Sequence, residues 1–179
     1  MRFVPCDIPG VFLLEQEPRH DERGHFARLW CERELADRGL CARVAQVNTQ
    51  LSPQTATLRG LHYQCAPHAE VKIVRCNRGS IFDVAVDLRT DSPTYRRWFG
   101  LRLSAGDGRM LYVPQGCAHG YLTLEPDTEV MYFTSEFYAP SSASGVRYDD
   151  PAFSIRWPLP PLLISAADRA WPLLEETSS

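Results

Sequence analysis

"GRMLYVPQGCAH", Gly108 to His119, holds a strand signal, a turn signal and a chemically useful side chain within one short stretch. Met110 to Val113 is an apolar run of strand length, Pro114 and Gly116 break it, and His119 opens a second run that continues to Leu124. The stretch therefore reads as a strand, a tight turn and a returning strand that delivers a histidine near its start. Outward from it the pattern repeats. Val71 to Cys76 and Ile81 to Leu88 flank "NRGS" and read as a hairpin. Val11 to Glu15, Phe26 to Trp30, Val44 to Leu51, Thr57 to Gln64, Trp98 to Leu103 and Glu129 to Tyr138 are further strand candidates. Only "CERELADRG", stopped by Gly39, reads as a helix, with a short last turn expected around "SAADRAW". Many short strands separated by turn residues predict an all-β sandwich or barrel.

At 179 residues the chain suits one domain, 1–179, with a single core. The formal charge of -3 excludes the general basic footprint of a nucleic-acid or anionic-membrane binder, so an anionic ligand would have to be met by local arginines. The N-terminal stretch "MRFVPCDIPGVFLLEQEPRH" lacks a signal-peptide core, and no apolar run is long enough to cross a bilayer. Six cysteines without a CxxC pair suggest neither a zinc ribbon nor a disulfide framework, and predict a cytoplasmic protein with reduced, mostly buried thiols.

Gly108, five residues, Pro114, one residue, Gly116, two residues and His119 together resemble the second motif of the cupin superfamily. The resemblance implies a cupin-type double-stranded jelly roll with one or two short helices, and an inward-facing His119. The first cupin motif, laid on the chain from Gly60, places Ala66 and His68 at its two histidines, Lys72 at its glutamate and Gly79 at its last glycine. Two of four metal-ligand positions are thereby lost, one to a methyl group and one to a cation that repels a divalent ion. Lys72 is also the only lysine beside eighteen arginines. The expectation is a barrel with no metal and no cofactor, with a compact ammonium where a metal carboxylate would stand.

Longer motifs narrow the resemblance. "DIPGVFLLE", "DERGHF", "LRGLHYQ", "HAEVKIVRCNRGSIFDVAVDLR", "SPTYRRWFG", "LYVPQGCAHGYLTL", "DDPAFSIRWP" and "ISAADRAWP" cover nearly the whole chain and resemble the dTDP-4-dehydrorhamnose 3,5-epimerase family, metal-free cupins acting on nucleotide sugars. A 4-keto sugar carries weakly acidic hydrogens at carbons 3 and 5. Removing one leaves an enolate, and reprotonation from the other face inverts the centre, so the site needs a base, an oxyanion stabiliser and an acid. Matched to the family, His62 is the base and Asp168 its partner carboxylate, Lys72 the oxyanion donor and Tyr132 the acid. An unperturbed imidazole titrates at about 6.5, which suits a base near neutrality. Tyr132 and Tyr138 share parity, so an uninterrupted strand would turn both phenols to one face.

The same match assigns the remaining ligand contacts. Arg23, Phe26, Gln46, Asn48 and Arg59 fall on positions that hold the diphosphate or stack on the base. His119, with Asp83 as a possible partner, is expected beside the sugar's carbonyl or hydroxyls, and Tyr138 beside the ligand. Parity separates Arg59 from His62, so both reach one ligand only if the strand bulges at Gly60. The family's N-terminal segment lines the neighbouring subunit's site, which implies a homodimer. Arg28 departs from the family's glutamate and offers donors alone to the nucleotide base, leaving the base open. "QVNTQLS" and Phe133 also depart from the usual pattern. Alternatives are inversion at a single carbon, movement of the ketone, a metal-dependent oxygenase using His62, His68, Glu70 and His119, and a non-catalytic sugar binder.

Overall fold

Val74, Cys76, Ile81, Ala85, Leu111 and Val130 alternate along their strands and converge on one buried cluster, and the strands that supply them belong to two different sheets. The computed structural model describes residues 1–174; residues 175–179 of the expected domain lie outside the described residues. In chain order the elements are β1 (Arg2–Pro5), β2 (Phe12–Glu15), β3 (Arg19–Asp21), β4 (Gly24–Phe26), α1 (Glu32–Ala36), β5 (Gln46–Ser52), β6 (Thr57–Gln64), β7 (Lys72–Arg78) and β8 (Ser80–Asp87). Then follow β9 (Trp98–Ser104), β10 (Arg109–Val113), β11 (Cys117–Thr123), β12 (Thr128–Thr134), β13 (Ala143–Gly145), β14 (Leu163–Ile164) and α2 (Ala166–Arg169). One sheet runs β1-β2-β10-β7-β12-β5 and the other β13-β6-β11-β8-β9, with β14 parallel to β6; β3 and β4 pair only with each other. This is the jelly roll of a cupin. Among the described residues no helix is long and apolar enough to cross a membrane.

The inward face changes character along the barrel. On β7 Lys72 is followed two and four residues later by core Val74 and Cys76; on β12 core Val130 is followed by Tyr132 and Thr134. One end is thus sealed by apolar packing and the other is a polar cavity. Outward-facing Val84 and Val86 join Leu61, Ala118 and Phe153 in a second cluster, so β8 is buried on both faces.

Several sequence expectations need correction. β7 and β8 do not form a hairpin: β7 pairs with β10 and β12, whereas β8 pairs with β11 and β9. Gly79, at φ +73°, carries the chain from one sheet to the other, and a Cβ there would lie 2.3 Å from Thr128 Oγ1. A tight turn between two apolar runs serves either geometry; what selects the crossing is that both strands have apolar faces to bury across the barrel. The strand expected at Phe26 to Trp30 is instead Gly24–Phe26, closed against β3 by the Asp21 turn, while Trp30 packs under α1. β12 ends at Thr134, whose hydroxyl donates to the Glu136 carbonyl, so Tyr138 is not on that strand. The thiols are not mostly buried, since Cys41 and Cys65 sit in exposed loops and only Cys76 and Cys117 are buried.

The bulge in β6 is present. Arg59 pairs with Tyr121 and His62 with His119, three steps of one strand against two of the other. Gly60 sits there at φ +133°, with Gly120 Cα only 2.6 Å from where a Cβ would stand.

Candidate active site

Strands β6 and β11 form one wall of a cavity of about 660 Å³, and β5, β12 and the start of β7 form the other. Asp168 reaches the first wall from α2, a single turn whose N-cap, Ser165, accepts from the Asp168 N–H. Its Oδ1 lies 2.6 Å from His62 Nε2, and its Oδ2 accepts from the Gly60 N–H at 3.3 Å. Burial pushes the Asp168 carboxyl up, but the hydrogen bond and charge of His62 and the Gly60 and Ser165 donors outweigh it, leaving the pKa below the ordinary value. An ionised Asp168 takes Nε2–H as donor and leaves the lone pair of His62 on Nδ1. The two side chains differ in access: His62 is 44% exposed and Asp168 8%.

Lys72 Nζ lies 3.0 Å from Glu70 Oε1 and donates to the His62 carbonyl at 3.2 Å. Both charged side chains are nearly withdrawn from water, at 12% and 11% exposure. Tyr132 stands on the opposite wall from His62. Its phenol is raised above the usual value by burial first and by the Glu70 charge second, with Arg59 acting in the other direction.

His119 occupies the register position opposite His62, and its Nε2 lies 2.8 Å from Oδ1 of fully buried Asp83. Asp83 Oδ2 has no hydrogen-bond partner among the described residues. Gln46, Asn48 and Arg59 also line the cavity, as does Tyr138, whose N–H is held by Gln46 Oε1 although its strand has ended.

Arg23, Phe26 and Arg28 are not brought to this cavity. The β3–β4 hairpin stands clear of the sheets; Arg23, 83% exposed, pairs with Asp21, and Phe26 is 66% exposed. Arg28 pairs with Glu34 of α1 at 3.0 Å, beside a shallow depression elsewhere. Nor is the metal set assembled: among the described residues no three His, Cys, Asp or Glu side chains are grouped to hold an ion, and Glu70 is committed to Lys72. The sequence reading missed Gln50, Gln64, Tyr121 and Trp171, all on the cavity wall. Gln50 continues the parity of Gln46 and Asn48, and Tyr121 that of His119, so alternation could have found both. Trp171, whose ring meets His62 edge-on at 6.4 Å, follows Asp168 by three residues and had no such signal.

The sequence model of the dTDP-4-dehydrorhamnose 3,5-epimerase family matches residues 5–176. The chain belongs to that family. It is 42% identical to the dTDP-4-dehydrorhamnose 3,5-epimerase of Methanothermobacter thermautotrophicus over 98% of this chain and 95% of the relative. It is 37% identical to the dTDP-4-dehydrorhamnose 3-epimerase of Streptomyces niveus, covering 98% and 85%. A crystal structure of the Bacillus anthracis 3,5-epimerase, with TDP and pyrophosphate bound, superposes with a TM-score of 0.92 at 39% identity, covering 97% of this chain and 99% of that one. The 3,5-epimerase family thus contains the fold described above.

Proposed function

We propose that this protein is a nucleotide-sugar epimerase that inverts carbon 3, carbon 5 or both of a 4-keto-6-deoxy sugar such as dTDP-4-keto-6-deoxyglucose, in deoxysugar biosynthesis. The observation that carries this reading is the placement of His62 with Asp168 on one sheet and Tyr132 on the other, so that base and acid approach a ligand between them from opposite sides. His62 Nδ1 takes the carbon-bound proton and Asp168 stabilises the imidazolium. The electron pair moves onto the carbonyl oxygen, where the Lys72 ammonium donates to the developing oxyanion. Tyr132 Oη–H then protonates the carbon from the opposite face, and solvent restores both side chains. These are proton transfers, which the chain's own side chains can perform without a redox partner.

Arg59, Gln46, Asn48, His119 and Tyr138 hold the ligand in this proposal. A homodimer supplies what the isolated cavity lacks: β5 is an unpaired sheet edge with Val47 and Leu51 exposed, and the β3–β4 arm presents Arg23 and Phe26 to no partner within its own chain's cavity. Arg28 is the residue to follow for base preference, as it requires a rotation away from Glu34. Six free thiols fit a cytoplasmic setting.

Proton NMR in heavy water with dTDP-4-keto-6-deoxyglucose tests the proposal. Loss of the signals of the carbon 3 or carbon 5 hydrogens, abolished in His62→Ala, is expected, and the number of signals lost counts the carbons addressed. No exchange at either carbon overturns it.

A further inference from the structure

Glu70 is a charged group in the cavity to which the reaction gives no task. It and Lys72 are two residues apart in extended chain, so both point into the cavity while Val71 between them packs into the core. The Glu70 carboxylate is held at both ends. Oε1 takes the Lys72 ammonium at 3.0 Å, and Oε2 accepts from Gln64 Nε2 at 3.4 Å. Gln64 cannot swing away easily: its two N–H donors are shared among Glu70 Oε2 and the carbonyls of His68 and Phe137, and its Oε1 accepts from the Ala139 N–H at 2.7 Å. An ammonium has three donors. Glu70 and the His62 carbonyl engage two of Lys72's, which leaves one for an oxygen of the ligand.

We propose that Glu70 is a positioning residue: it fixes the direction of the one free Lys72 donor. The proposal deepens the epimerase reading and rests on it. A flexible four-carbon stem without such an anchor would spread its charge over several rotamers, and the donor would meet the enolate oxygen only part of the time.

Since Lys72 is the only lysine, protein labelled with nitrogen-15 at lysine Nζ yields a single ammonium signal. The wild type is expected to show it protected from hydrogen exchange, Glu70→Ala to lose that protection, and Glu70→Gln, which keeps the shape and one acceptor oxygen, to keep part of it. An equally protected ammonium in Glu70→Ala overturns the proposal, whatever the enzyme turns over. With dTDP-4-keto-6-deoxyglucose, Glu70→Ala should lower kcat about tenfold or more with KM within about twofold, and Glu70→Gln should recover part of the loss. A wild-type protein that fails to exchange or invert the sugar refutes the epimerase reading alone, because the ammonium signal reports on Glu70 without substrate.

Discussion

His62 and His119 stand opposite one another on β6 and β11, each with its own carboxylate, Asp168 at 2.6 Å and Asp83 at 2.8 Å. The pairs are alike in geometry and unlike in access, since His62 is 44% exposed and His119 9%. Both line the cavity, and His62 is the more open of the two.

Asp168→Asn should lower the rate of hydrogen wash-out by about 100-fold or more, because an amide can present its N–H to Nε2 and select the wrong tautomer. Exchange kinetics by NMR read this directly. The stability signature has a definite sign. A carboxyl whose folded pKa lies below the ordinary 3.8 adds stability that is present above that value and lost as pH falls through the lower one. The acid side of the urea midpoint against pH should therefore flatten in the variant.

Lys72→Arg preserves charge and changes shape. The Glu70 clamp is built for a compact ammonium, so a planar fork should misplace the donor and lower kcat by about 100-fold, the scale of deleting one oxyanion donor. Steady-state kinetics check this, and nearly full activity would refute the role given to the ammonium.

Tyr132→Phe should slow net inversion more than wash-out, since abstraction by His62 survives while delivery from the other wall does not. Parallel NMR and product assays separate the two rates. Equal losses would make Tyr132 a ligand-binding side chain.

Asp87→Asn tests the scaffold. Burial pushes Asp87 up, yet Arg89, Ser92 and Thr94 donate to it and hold its pKa down to about 2. Relative to an ordinary carboxyl this contributes about 2 kcal/mol, fully present above about pH 4 and lost toward pH 2. Thermal unfolding at pH 7 should show a loss of that order in the variant, shrinking as the pH is lowered.

Alternation and turn residues made the strands legible, and most of β6, β9, β10 and β11 lies where those signals put it. What they could not convey was which sheet a strand joins. "NRGS" reads the same whether the chain doubles back or crosses the barrel, and only the partners on β10 and β11, far along the sequence, decide it. The cavity shows the same division. Gln46, Asn48, Arg59, His62 and His119 lie on strands whose parity could be followed, once Gly60 is allowed its bulge. Asp168 lies 106 positions from His62, a pairing that no local pattern encodes. Arg23 and Phe26 lie on a hairpin clear of the sheets and Arg28 follows it onto Glu34 of α1, placements that composition does not specify.

The extra residue at Gly60 also limits how β6 can change over evolutionary time. Before it, odd-numbered side chains such as Arg59 look inward; after it, even-numbered ones such as His62 and Gln64 do. Inserting one residue between Arg59 and His62 while the bulge persists would turn these two side chains to opposite sides of the barrel. The strand can thus accept new side chains far more readily than a new length, and insertions or deletions in this family should be found in the loops at its ends.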